Sequence, residues 1–255
     1  MSQTAPHSHT QAESQTVHPP HVPLAPGVLM DANRQWFDTQ AQNYEGGYEA
    51  QVIAQEISQQ ASAEFLKAFP FDKSQTVVMD FACGTGMISQ KLAPHSKRII
   101  GVDISSKSVE LYNEHVAKQG VPREEMKAIC VDLTERGNTR NDPLDGVEFD
   151  VIVCSGAYHH FADIDDMTKV LASYLKPGTG TLIIGDIIAS PEAEYVLSLH
   201  EHKVVHTSGF NEELIRSAFV DAGGLRDFSF KPAFRMNWYG RDVDLFIAKG
   251  VRPNL

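Results

Sequence analysis

Five short apolar runs, at residues 76–81, 98–102, 128–132, 149–155 and 180–186, alternate with segments of helical periodicity at 86–92, 107–118 and 167–174. Few architectures accept that order. Parallel strands cannot be joined by tight turns and need a crossover, usually a helix, so the alternation predicts an α/β fold on a doubly wound, mostly parallel sheet. A helix at 211–221, stopped by Gly223-Gly224, and strands at 225–230 and 242–248 bring the expected sheet to seven strands. Such sheets bind ligands beyond the carboxyl ends of their strands, where the strand order reverses. The chemistry is therefore expected where the runs end: Asp80 to Gly86, Asp103, Asp132, Cys154-Ser155 and Asp186.

Residues 1–30 read as a disordered tail, rich in Ser, Thr, Gln, Pro and His (His7, His9, His18, His21) and too poor in large apolar residues to build a core. Arg34 is the first basic residue and no apolar leader run precedes it, so a cytoplasmic setting is expected. Residues 31–70 have apolar positions at irregular helical spacing, broken by Gly46-Gly47. They read as an N-terminal helical lid, a short helix followed by a longer one, ahead of a main domain at 71–255. A net charge of −11 without any basic run argues against nucleic acid as a partner. No apolar stretch approaches the ~20 residues of a membrane span. Cys83, Cys130 and Cys154 stand in apolar contexts without ligand spacing and read as reduced core residues; no metal site is expected.

The stretch "VVMDFACGTG", residues 77–86, ends a strand on small residues, and Gly84 and Gly86 let the chain turn with positive φ and let a ligand approach bare backbone. Next, "IIGVDISS" ends an apolar run on Asp103, an acid placed to accept from ribose hydroxyls, and "AICVDL" supplies Asp132 for an exocyclic adenine amine, with Leu133 beside the ring. An adenosine derivative is the expected ligand. A dinucleotide fingerprint would carry a third glycine at Ser89, and a phosphate cradle would carry Gly-Lys-Ser/Thr; both are missing. Asp80 beside the loop disfavours a pyrophosphate and favours a cation, which suits a sulfonium amino acid.

Taken together, "DFACGTG", "GVDIS", "VDL" and "FDVIVCSGAYHHFADIDDMTKVLASYLKPGTGTLIIGD" resemble the class I S-adenosylmethionine-dependent methyltransferases over roughly residues 36 to 249. The segments "WFDTQAQNYEG" and "YLKPG" are similar to the small-molecule branch, which includes ubiquinone-type enzymes and fungal enzymes of secondary metabolism. The resemblance implies that Asp80, Ala82, Gly84 and Gly86 surround the methionine part and that Asp103 holds the ribose with Ile104 beside the adenine. It also puts Asp132 and Leu133 at the adenine edge and Cys154 with Ser155 under the sulfonium. Ala82 stands where the family often has glycine, a mild change unless its φ is positive.

Methyl transfer from a sulfonium is an in-line displacement that asks mainly for alignment and exclusion of water. A base is needed only where the acceptor loses a proton, and "GAYHHF" offers His159 and His160 for that role, with Tyr158 beside the acceptor. His206, the last histidine of "SLHEHKVVH" after His200 and His202, is a further candidate acceptor contact, as are Trp36 and Tyr48. Tyr44 is the expected lid residue over the cofactor, with Gly46-Gly47 as hinge. The expected activity is methyl transfer to a small-molecule acceptor by a cytoplasmic enzyme, with a homodimer left open. The competing reading is a catalytically silent protein of the same fold that acts through a protein partner.

Overall fold

In the computed structural model the described residues are 26–43, 48–134, 142–199 and 204–254. The five apolar runs form parallel strands β1 (Val77–Phe81), β2 (Arg98–Asp103), β3 (Met126–Cys130), β4 (Val151–Ser155) and β5 (Thr181–Ile187). An antiparallel hairpin of β6 (Arg226–Trp238) and β7 (Arg241–Val251) completes the sheet in the order β3-β2-β1-β4-β5-β7-β6. The chain winds outward from β1 through β2 to β3, then returns to place β4 on the other side of β1. The reversal point thus lies between β1 and β4.

Helices cover both faces, which is why β1, β2, β4 and β5 are apolar along nearly their whole length. They are α1 (Pro26–Asn43), α2 (Tyr48–Ala68), α3 (Met87–Leu92), α4 (Ser106–Lys118), α5 (Ile164–Tyr174), α6 (Pro191–Ser198) and α7 (Glu212–Arg216). Alternate strand residues feed two cores. Met79 and Phe81 join Ile152, Leu182 and Leu171 of α5 on one face, and Val78 joins Val151, Ile183, Phe65 of α2 and Tyr112 of α4 on the other. No helix among the described residues is long and apolar enough to cross a membrane.

Several elements differ from the sequence expectation. Helix α1 is 18 residues long and starts at Pro26, so residues 26–30 belong to it rather than to a tail; buried Leu29 anchors that first part. Strand β3 starts and ends two residues early, which leaves Asp132 beyond its end and Cys130 exposed on the sheet's edge strand, while Cys83 and Cys154 are buried as expected. Strand β6 continues through Pro232 instead of stopping at Phe230: it is the other edge strand, and a register shift between Pro232 and Phe234 absorbs the missing N–H. Helix α6 was not foreseen, although its signals are local: Ser190 caps it through Ala193 N–H, Pro191 opens it, and Glu192 and Glu194 lie in its first turn.

Candidate active site

The carboxyl ends of β1, β2, β3 and β4 enclose a cavity of about 310 Å³. Ala82 and Gly84 line it after β1, Asp103 and Ile104 after β2, Asp132 and Leu133 after β3, and Ser155 at the end of β4. His160 and Phe161 close the side next to β4, and Leu29, Met30, Asn33 and Phe37 of α1 form a further wall. The strand-end logic therefore brings together eight of the expected residues, because parallel strands deliver all their carboxyl ends to one edge.

The geometry around Asp103 shows how the loop is held. Its Oδ2 accepts from Gly84 N–H at 2.8 Å and its Oδ1 from Ser105 N–H at 2.8 Å. Burial raises the Asp103 carboxyl, and these two N–H groups oppose the rise by binding the charged form. Asp132 Oδ1 accepts from Thr134 N–H and Oγ1 at 2.8 and 2.7 Å, a turn that fixes the carboxylate while leaving its other oxygen uncommitted. Three buried polar atoms on this cavity have no protein partner among the described residues: Asp132 Oδ2, Ser155 Oγ and Asn33 Oδ1. Buried polar atoms left open in this way are available to hydrogen-bond a molecule occupying the cavity.

Several expected residues lie elsewhere. Asp80 falls between Met79 and Phe81 and so points to the opposite face, under α3, where its Oδ2 accepts from Ser89 N–H and Oγ at 3.1 and 2.6 Å. Burial pushes its carboxyl up to about 7. Gly86 caps α3 with φ +90, against the ring of Tyr112, and does not reach the cavity wall. Cys154 is enclosed in the sheet, and Tyr158 is fully buried with its hydroxyl 3.1 Å from Thr168 Oγ1, so neither side chain lines the cavity. Trp36 packs edge-on against Phe37, at 4.8 Å between ring centres, and it is Phe37 that reaches the wall. Tyr44 and the Gly46-Gly47 joint lie outside the described residues, as do His200, His202 and the side chain of Tyr48.

The two adjacent histidines have different surroundings. His159 is buried and its Nδ1 sits 2.8 Å from Oδ1 of the fully buried Asp186. Burial alone would raise the Asp186 carboxyl, but the His159 ring and its hydrogen bond hold it below the usual carboxylate range. His159 therefore locks the loop to β5 and does not line the cavity, because its ring turns inward to meet that acid. His160, with its ring 4.3 Å from that of His159 and 5.3 Å from Phe37, does line the cavity. The His206 ring is tilted against Phe210 at 4.8 Å, its buried Nε2 has no partner among the described residues, and burial lowers its pKa; it is not on the cavity wall.

Ala82 has φ +55, so the substitution for glycine there is not mild: the residue occupies the left-handed region. Ala82→Gly is expected to stabilise the fold by about 1 kcal/mol. Gly86→Ala should do the reverse, since its Cβ would sit 2.6 Å from Tyr112 Cδ2 at φ +90; the expected loss, about 2 to 4 kcal/mol by chemical denaturation, combines both penalties.

Sequence reasoning missed Asn33 altogether and left Phe37 open between an acceptor contact and helix packing. The signal for Asn33 was present as a polar residue between Leu29 and Phe37 at intervals of four, on a helix face that otherwise reads apolar.

Residues 79–181 match the protein family described as a methyltransferase domain. This part of the chain carries a methyltransferase domain. An uncharacterized methyltransferase of Schizosaccharomyces pombe is 37% identical over 155 residues, which cover 59% of this chain and 54% of that relative, so the match spans about half the relative's length. A ubiquinone biosynthesis O-methyltransferase of Marinobacter nauticus is 26% identical over 180 residues, covering 66% of this chain and 73% of the relative. The fold of this chain is shared with the magnesium protoporphyrin IX methyltransferase of Synechocystis, solved with bound S-adenosylhomocysteine, at a TM-score of 0.62 and 19% identity over 89% of this chain and 99% of that one. These likenesses do not favour the catalytically silent alternative.

Proposed function

We propose that this methyltransferase transfers the methyl group of S-adenosylmethionine to a small-molecule acceptor, and that the cavity at the strand ends is its cofactor site. The observation that carries this reading is the set of open polar atoms, Asp132 Oδ2 and Ser155 Oγ, grouped with Asp103 in one cavity at the point where the strand order reverses. They suit an adenosine derivative. Asp103 keeps lone pairs beyond those taken by Gly84 and Ser105, and these accept from the ribose hydroxyls. Asp132 Oδ2 accepts from the adenine amine, with Ile104 and Leu133 packed against the ring. Gly84, at φ +51 with nothing within 4 Å of where a Cβ would stand, keeps the space beside the loop open for the methionine part.

The cofactor, when bound, supplies an activated methyl carbon. The chain contributes alignment and exclusion of water, through Phe37 and the rest of the α1 wall. His160 is the group on this wall that takes a proton from an acceptor that has one to lose. The O-methyltransferase relatives make hydroxyl-bearing acceptors the first class to screen. Calorimetric titration with S-adenosylmethionine and S-adenosylhomocysteine tests the reading. Both are expected to bind in the micromolar range, and folded protein that binds neither would overturn it.

A further inference from the structure

We propose that helix α1 is a ligand-coupled wall of the site, in which Asn33 binds the adenosine part of the cofactor and Asp38 latches the helix to the residues that hold Asp103. The inference rests on the proposed cofactor site and adds to it two residues from outside the sheet. Leu29, Asn33 and Phe37, four apart, line the cavity from one face of α1. Two of them are apolar. Asn33 is 4% exposed, yet its Oδ1 has no donor among the described residues. An amide oxygen buried without a partner is unfavourable, and because Asn33 lines the cavity a ligand occupying it can supply the donor.

A latch ties the same helix to the residues around Asp103. Asp38 Oδ1 accepts from Ser105 Oγ at 2.6 Å and from Lys107 N–H at 3.1 Å, so an acid of α1 caps the N-terminus of the thirteen-residue helix α4. Ser105 N–H in turn donates to Asp103 Oδ1, and Asp103 Oδ2 accepts from Gly84 N–H. A continuous run of hydrogen bonds therefore joins α1 to the glycine loop through Asp103. Asn33 precedes Asp38 by five residues, about 7.5 Å along the helix axis, and lines the same cavity as Asp103 and Ile104, so on the proposed cofactor site its donors are the ribose hydroxyls and exocyclic amine of the adenosine. A ligand that satisfies Asn33 holds α1 down, and a docked α1 with Asp38 in place holds the ligand; by linkage each effect implies the other. Release of the product then requires α1 to loosen from α4.

The test combines hydrogen exchange with titration, using S-adenosylhomocysteine as the probe. Its addition to the unaltered protein should slow exchange of the α1 amides. Asn33→Ala should weaken its binding about tenfold, and Asp38→Asn should speed its release several-fold while the thermal midpoint without ligand moves little. Unaltered protein that binds the probe without protection of α1, or Asn33→Ala with unaltered affinity, would remove this inference and leave the cofactor site standing. Failure of the unaltered protein to bind the probe would remove both. Should Asn33→Ala not fold, exchange in the unaltered protein and the release rate of Asp38→Asn decide the matter.

Discussion

Asp103→Ala is expected to lower the affinity for S-adenosylhomocysteine at least about a hundredfold, the equivalent of two charge-assisted hydrogen bonds of about 1.5 kcal/mol each. The loss has two sources. In the proposed cofactor site the ribose hydroxyls lose their acceptor, and the Gly84 and Ser105 N–H groups, both bonded to this carboxylate at 2.8 Å, lose the partner that shapes the loop. Asp103→Asn, which keeps one acceptor oxygen, should fall between the two. Calorimetric titration of the three proteins measures the series, and wild-type affinity in the alanine variant would falsify the assignment of Asp103 to the ribose.

His159→Ala should reduce the stability of the fold by about 3 kcal/mol or more at neutral pH, because it leaves the fully buried Asp186 without its ring partner. The pH dependence separates this from a simple loss of packing. In the unaltered protein Asp186 is held below the ordinary carboxylate range, so it contributes stability above that range and loses the contribution as the pH falls through its lowered value. Without the ring, burial governs and the carboxyl is raised instead. The cost of the variant should therefore grow from acid toward neutral pH in denaturant titrations. A cost that is the same across that span would mean that His159 acts only as filler in the loop. The affinity for S-adenosylhomocysteine should change far less than the stability, since neither partner lines the cavity.

The acids show how far local sequence reaches. Asp103 and Asp132 were legible because each follows an apolar run in a chain that alternates strand and helix, and the parallel sheet carries both to one edge. Asp80 follows the same kind of run but is one residue short of its end, and the two-residue period of the strand turns it away, under α3, into the hydrogen bonds of Ser89. The pair His159-His160 makes the same point in a loop. Adjacent and chemically identical, they diverge because Asp186, 27 residues later on β5, draws one ring inward.

What the sequence by itself determined is the architecture and the chemistry at its edge: alternating periods of two and 3.6 residues dictate a doubly wound sheet, and glycines and acids at the run ends dictate a polar ligand there. What only the tertiary structure decided is which of those side chains share the cavity, that Ala82 takes a left-handed backbone, and that α1 supplies a wall through Asn33 and an anchor through Asp38. The physical reason is range. Periodicity and capping are written within a few residues, whereas the Asp38 bond to Ser105 spans 67 positions, and its existence depends on where two helices are placed by the packing of the whole sheet.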